Sequence, residues 1–334
     1  MKIFLGKIFI FLLIFALTCG VLFLPVYYFN PDDYFGNRNA PTRDVLSSMT
    51  DFKRNPSPYI ILGDSRMNAI SWGNLRYFNE VAGERYANLA FGGASQNESI
   101  DMFWWSNSII PLKKVYLGVS FYDIQENNFN DRLKGNIELI NKPWRYVYNY
   151  KTLAASLENI KLPSRPEKAS PAVPEEDIIT ETTVSADTVS SAGVSALSGT
   201  NAEQKPDFVG YADNIYAKCV EGRGYEVSAL NMKRLKGIAD YCRENEIELI
   251  IVTPPYHVSI DELVLRPLGL NDQIAAYKEE LARYAELRNM EFLNDFSYDD
   301  SNFIDGFHLS EQAMPRYINA IISGNDPMID VHLH

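Results

Sequence analysis

Cysteine and histidine are scarce in this 334-residue chain, at three and four residues, and none stands in a CxxC or Cys/His pair at metal-ligand spacing. A zinc site therefore has no support from the sequence. Basic clusters are missing as well: 31 Lys and Arg face 43 Asp and Glu, for a formal charge of −12. Phosphate binding needs Lys and Arg gathered on one face, so a nucleic-acid partner is not expected. Aromatic residues make up 13% of the chain, yet none occurs between Lys151 and Asp207. That stretch is rich in Ser, Thr, Ala, Pro and Glu and cannot bury enough apolar area to offset its ordering entropy. We read 161–207 as a disordered, low-complexity insertion that splits one globular domain into 29–160 and 208–330.

What the chain does have is a long apolar run. The 21 residues from Ile8 to Tyr28 carry no charge. As a helix they reach about 31 Å, close to the roughly 30 Å of a bilayer core. A cleavable signal has a shorter apolar core of about 7–15 residues. Ala16-Leu17-Thr18 ahead of Cys19 is also a poor cleavage or lipidation site. The expectation is an uncleaved transmembrane anchor within residues 1–28. Lys2 and Lys7 flank one end and Asp32 and Asp33 follow the other, which puts the amino-terminal tail inside and the rest of the chain outside. Outside the cell, Cys219 and Cys242 either form a disulfide or remain two small buried thiols.

Apolar runs alternate with helical patterns along the rest. "YIILG", "ERYANLA" and "KKVYLGVSF" read as strands, and "SIDMFWWSNSII" as a buried helix. Ser228–Asn245 and Asn271–Arg288 have apolar residues at helical spacing, with the strand "IELIIVTPP" between them and "MEFLNDFS" as a last strand. Continuous apolar strands alternating with helices mean a parallel sheet in an α/β fold, where ligands sit at the carboxyl ends of the strands.

Ser65, in "YIILGDSRMN", stands at one of those ends. Gly63-Asp64-Ser65 is either a capped turn, ordered by the Asp64 side chain, or the seat of a nucleophile. Near the carboxyl terminus, Asp305 and His308 in "NFIDGFHLSEQA" lie three apart, just before a helix opening near Ser310. That spacing lets the carboxylate reach one ring nitrogen while the other accepts a proton from a serine. His257 lines a site or faces solvent, and His332 and His334 are in the terminal tail. Gly92-Gly93 after the second strand permits a backbone N–H to approach an oxyanion. Trp104-Trp105 reads as core; Trp72 and Trp144 are better candidates for sugar stacking, though no positional argument supports them, and Asn97 is a minor polar candidate.

Taken in order, these pieces resemble the blocks of the SGNH, or GDSL-type, hydrolase superfamily. The first is Gly63-Asp64-Ser65, the second Asn88 through Gly93, and the last Asp305-Gly-Phe-His308. The third, usually GxND, is matched by Ser120-Phe121-Tyr122-Asp123, in which serine replaces the glycine and Tyr122 the oxyanion-donating asparagine. The resemblance implies a three-layer α/β/α, flavodoxin-like parallel sheet. It implies Ser65 as nucleophile, His308 as general base and acid, Asp305 as its orienter, and the Ser65 and Gly93 N–H groups as the oxyanion hole. Either Tyr122, Ser120 or another group adds a third donor, or the hole has two; one lost donor costs about 10²–10³ in rate. Arg66 is ion-paired or solvated, or else meets an anionic substrate group. No metal or cofactor is implied.

An anchored, outward-facing SGNH-like domain with "GDSR" and "DGFHLS" blocks resembles the membrane-bound branch containing the teichoic-acid D-alanylation and alginate O-acetylation proteins. This implies an extracytoplasmic O-acyl (acetyl) transferase or esterase for a cell-surface polysaccharide, taking an acylated glycan or acyl donor beside a membrane-bound O-acyltransferase. A catalytically weak glycan-binding or scaffold module is the alternative, and the anchor keeps open a lipid esterase.

Overall fold

The computed structural model describes residues 2–28, 43–71, 73–126, 131–142, 144, 145, 153, 206–221, 224–291 and 293–324. The insertion expected at 161–207 thus lies outside the described residues up to position 205, as do Trp72, His332 and His334. The chain divides into two compact units, Met1–Pro41 with Pro143–Glu203 and Thr42–Lys142 with Gln204–His334.

The first unit contains helix α1 (Lys2–Tyr28), whose Phe4–Val21 stretch is long and apolar enough to cross a membrane. Large apolar side chains on every side of it, from Phe4 and Leu5 to Phe15 and Leu17, are exposed. A helix apolar all round is suited to a lipid surrounding. Trp144, also in this unit, is 61% exposed.

The second unit is an α/β body. Its chain order is α2 (Arg43–Arg54), β1 (Tyr59–Leu62), α3 (Ser65–Asn68), α4 (Gly73–Ala82), β2 (Ala87–Asn88), α5 (Gln96–Ile109), β3 (Lys114–Gly118) and α6 (Leu133–Asn141). After the interruption come α7 (Phe208–Val220), α8 (Ala229–Glu244), β4 (Glu248–Thr253), three short helical turns between Val258 and Leu268, α9 (Asn271–Tyr284), β5 (Glu286–Asn289) and α10 (Met314–Ser323).

The five strands form one parallel sheet in the order β2-β1-β3-β4-β5. Side chains alternate between the faces of a strand. Ile61, Tyr116 and Ile250 join Phe78 of α4 and Tyr317, Ile318 and Ile321 of α10 in one apolar cluster. Their neighbours Ile60, Leu62, Val115, Leu117 and Ile251 are buried too, and α5 packs on β1 while α8 packs on β4. Burial on both faces explains why these strands read as unbroken apolar runs.

The last strand is a correction. It is Glu286–Asn289, not Met290–Ser297, and α9 ends at Tyr284 with Ala285 extended at φ −155° and ψ 179°. Strand β5 lies at the sheet edge, pairing only with β4, and two of its four residues are exposed. An edge strand need not be apolar, so "ELRN" passed for the end of a helix. Likewise α10 opens at Met314, with Pro315 in its first turn, and not near Ser310.

The order β2-β1-β3 reverses direction at β1, which makes the crevice beyond β1 and β3 the topological switch point where α/β proteins bind ligands. Ser65 follows β1, and Ser120 follows β3.

Candidate active site

The backbone turns sharply after β1. Gly63 has φ +140°, and a Cβ there would lie 2.6 Å from Met67 Cγ and 3.2 Å from Gly118 Cα. Only glycine fits. Asp64 then caps α3: its Oδ1 accepts from the Arg66 N–H at 3.0 Å, the turn-ordering role expected for it. Asn88, at the end of β2, clasps the other end of α3. Its Nδ2 donates to the carbonyls of Met67 (2.8 Å) and Ile70 (2.6 Å), and its Oδ1 accepts from the Ala90 N–H. Ser65 is thereby held as the first residue of a helix pinned at both ends.

Ser65 Oγ lies 2.7 Å from His308 Nε2, and His308 Nδ1 lies 2.7 Å from Asp305 Oδ2. The other Asp305 oxygen accepts from the backbone N–H groups of Phe307 (2.7 Å) and His308 (2.8 Å). Burial pushes the Asp305 carboxyl up, but the hydrogen bonds and charge of His308 and the two backbone donors outweigh it and hold it below the usual carboxylate range. The loop itself is closed by a bridge between Phe303 and Leu309 and by the Ile304 N–H donating to the His308 carbonyl. Gly306 is pressed against Ile260 and Tyr211, where a Cβ would come within 2.7 and 3.0 Å. Tyr211 also sets its ring edge-on to the His308 imidazole at 6.0 Å. The three residues picked out by motif are brought together as a continuous hydroxyl–imidazole–carboxylate relay.

Gly93 sits in an exposed turn at φ +64°. Its carbonyl accepts from Arg132 Nη2 at 2.6 Å, and Arg132 also grips both carboxylate oxygens of Glu98 at 2.8–2.9 Å. Glu98 is fully buried and completes a capping box with Ser95 at the start of α5. Burial raises its pKa, and the bonds from Arg132 and Ser95 bring it below the ordinary value. Arg132 is a site residue that no sequence motif marks: it belongs to no recognisable block and follows the turn by 39 positions.

The third block is arranged differently from the expectation. Ser120 is completely buried, accepts from Arg66 Nη2 at 2.5 Å and gives its one hydroxyl proton to Asp123 at 2.7 Å. That proton is not available to an oxyanion. Arg66, 3% exposed, is engaged by Asp64 at 2.7 Å and Asp123 at 3.0 Å, which leaves it no approach to an anionic substrate. Tyr122 is half-buried, its ring 6.0 Å from that of Phe307 and 5.6 Å from Lys218 Nζ. Burial raises its phenol, with the nearby Lys218 pulling the other way.

His257 neither lines the site nor faces solvent. It is buried, its ring stacked on Phe208 at 3.8 Å and bonded to Ser259 and Asp300, and its backbone N–H donates to the Gly306 carbonyl. Cys219 and Cys242 are free, buried thiols raised by burial to about 11 and about 12. Trp105 is core, whereas Trp104 is 39% exposed and lines a cleft of about 630 Å³ with Asn97, Asp101, Asp131 and Glu138. No relay residue lines that cleft.

No protein-family model matches the chain, and no curated protein sequence matches it significantly.

Proposed function

We propose that this is an SGNH-type serine acyl-ester enzyme, anchored by α1 with its catalytic unit on the extracytoplasmic side, that transfers or removes an O-acyl (acetyl) group on a cell-surface polysaccharide. What carries this reading is the relay from Ser65 through His308 to Asp305, at the switch point of a parallel sheet. The 2-1-3-4-5 strand order is the one a three-layer, flavodoxin-like SGNH domain requires.

In this mechanism Ser65 Oγ attacks the acyl carbonyl carbon while its proton moves to His308 Nε2. Asp305 holds the imidazole in the correct tautomer and stabilises its charged form. The Ser65 and Gly93 N–H groups receive the oxyanion. The ester bond then breaks, and His308 returns the proton to the leaving alcohol. A sugar hydroxyl or water next gives its proton to His308 and attacks the acyl carbon, and as the Ser65 ester bond breaks His308 returns that proton to Ser65 Oγ. Transfer and hydrolysis differ only in that acceptor. The exposed Trp104 indole and its acidic neighbours offer a surface suited to a glycan, with a membrane-bound O-acyltransferase as the source of acyl groups.

The second reading, a weakly active glycan-binding or scaffold module, draws on the third block, where Tyr122 stands in place of the asparagine and Ser120 is engaged by Arg66 and Asp123, so that its hydroxyl does not serve as an oxyanion donor. Labelling decides between them. A fluorophosphonate added to the detergent-solubilised full chain is expected to modify Ser65, and Ser65→Ala to abolish the signal. A folded wild type that takes no label sinks the enzyme reading and favours the scaffold.

A further inference from the structure

One side chain touches three of the four blocks of the site. Arg66 immediately follows the nucleophile, and its Nε and Nη2 both bond Asp64 Oδ2, at 2.9 and 2.7 Å. The same Nη2 reaches Ser120 and Asp123 beyond β3, and Ser120 also bonds Asp123. The guanidinium carbon stands 4.7 Å from the centre of the Phe307 ring. Phe307 adjoins His308 in the chain, and both residues give their N–H groups to Asp305 Oδ1. A shift of the Phe307 ring is thus a shift of the loop that carries the base.

This cluster is a poor stabiliser. It buries one guanidinium with the carboxyl groups of Asp64 and Asp123, and Arg66 Nη1 is buried with no hydrogen-bond partner among the described residues. Buried ion clusters of this kind are often no better for stability than apolar residues of similar volume. What a guanidinium supplies that an apolar side chain does not is a rigid planar fork with fixed directions. Here those directions run to the nucleophile turn, to the end of β3 and to the face of the ring beside the base. One of the two substitutions that set the third block apart from GxND acquires a reason: Ser120, in place of the glycine, is with the retained Asp123 the seat of this fork.

We propose that Arg66 is a positioning residue, a buried clamp that keeps the Ser65 turn and the Asp305–His308 loop in register so that Oγ and Nε2 stay in hydrogen-bond reach. The proposal rests on the serine-enzyme reading of Ser65 and His308, and it adds that the relay has a third support outside the triad.

The test uses the full chain in detergent, with Arg66→Lys and Phe307→Leu, and reads two quantities. One is the rate of fluorophosphonate labelling of Ser65. The other is the downfield proton resonance of the His308 imidazole N–H that faces Asp305, which reports the relay without any turnover. Lysine keeps the charge and loses the fork, so Arg66→Lys is expected to slow labelling by about 10²-fold and to shift or broaden the resonance. Phe307→Leu keeps every ion pair, removes the ring under Arg66 together with its edge contacts to Phe121, Tyr122 and Tyr211, and is expected to do the same to a smaller degree. If Arg66→Lys does not fold, Phe307→Leu decides by the same two measurements. A purely structural role would lower the melting temperature while folded protein kept its resonance and labelled within about threefold of wild type; that outcome overturns the proposal. A wild type that shows the resonance but takes no label removes the enzyme reading alone, and the resonance in the two variants then judges the clamp.

Discussion

Gly63 and Gly118 lie against each other where β1 and β3 end, with the Met67 side chain wedged over both. A Cβ on Gly118 would stand 3.4 Å from Gly63 Cα and 2.4 Å from Met67 Cγ. Gly118→Ala is therefore expected to cost about 1–3 kcal/mol, the usual penalty of overpacking a buried site. Met67→Ala removes the atom that is struck, so the double variant should be more stable than the two single losses added together. Urea denaturation of the four proteins of this cycle measures it; strict additivity would mean that the contact does not limit the turn.

Asp305 gives a prediction about rate. Asp305→Asn keeps the shape of the loop while allowing the imidazole its wrong tautomer, and on the proposed mechanism labelling of Ser65 should fall by about 10³–10⁴. Circular dichroism should show the fold unchanged. A variant that labels at the wild-type rate would remove Asp305 from the relay.

Asp123 gives a prediction about pH. Burial and the neighbouring Asp64 carboxylate, with a smaller push from Glu291, raise its carboxyl to about 8 against the pull of Arg66 and the Ser120 hydroxyl. Tyr122 and Tyr225 are the other titratable groups coupled to it. An unfolded aspartate titrates near 3.9, so between roughly pH 4 and 8 the folded protein binds more protons at this site than the unfolded chain. The stability it contributes is complete below about pH 4 and is lost as pH rises through about 8. Melting temperatures measured across that window should decline less steeply for Asp123→Asn than for the wild type. Equal slopes would show that the carboxylate is ionised throughout.

Arg132 ties the Gly93 turn to α5. Arg132→Met leaves Glu98 buried without its cation and frees the Gly93 carbonyl. With Arg132 itself 39% exposed, the expected loss of stability is roughly 1–3 kcal/mol, less than for a fully buried pair. Glu98→Gln in the same background should restore part of it. On the proposed mechanism labelling of Ser65 slows in the single variant beyond what the unfolded fraction explains.

The elements nearest the site were the ones most legible in the sequence, and the reason is physical. Strands β1, β3 and β4 are buried on both faces, so their apolar character shows as unbroken runs. A glycine forced to φ +140° between crowded backbones, and a histidine three residues from an aspartate, leave marks in local spacing. Strand β5 leaves none, because an edge position tolerates "ELRN". The state of Arg66 and Ser120 was equally hidden. Both are polar residues in a turn, and only the convergence of β1, β3 and the Phe307 loop reveals that they are buried against each other. Arg132 is invisible for the same reason, since its partners Gly93 and Glu98 lie more than 30 positions earlier.

The 243 positions that separate Ser65 from His308 have a temporal consequence. A ribosome delivers the hydroxyl 243 residues before the imidazole. Parallel strands pair only after long intervening stretches have formed, so no truncated or half-folded intermediate can assemble the relay. On the proposed mechanism, reactivity at Ser65 waits until every strand of the sheet, β5 included, has been synthesised, and its onset would mark completion of that sheet.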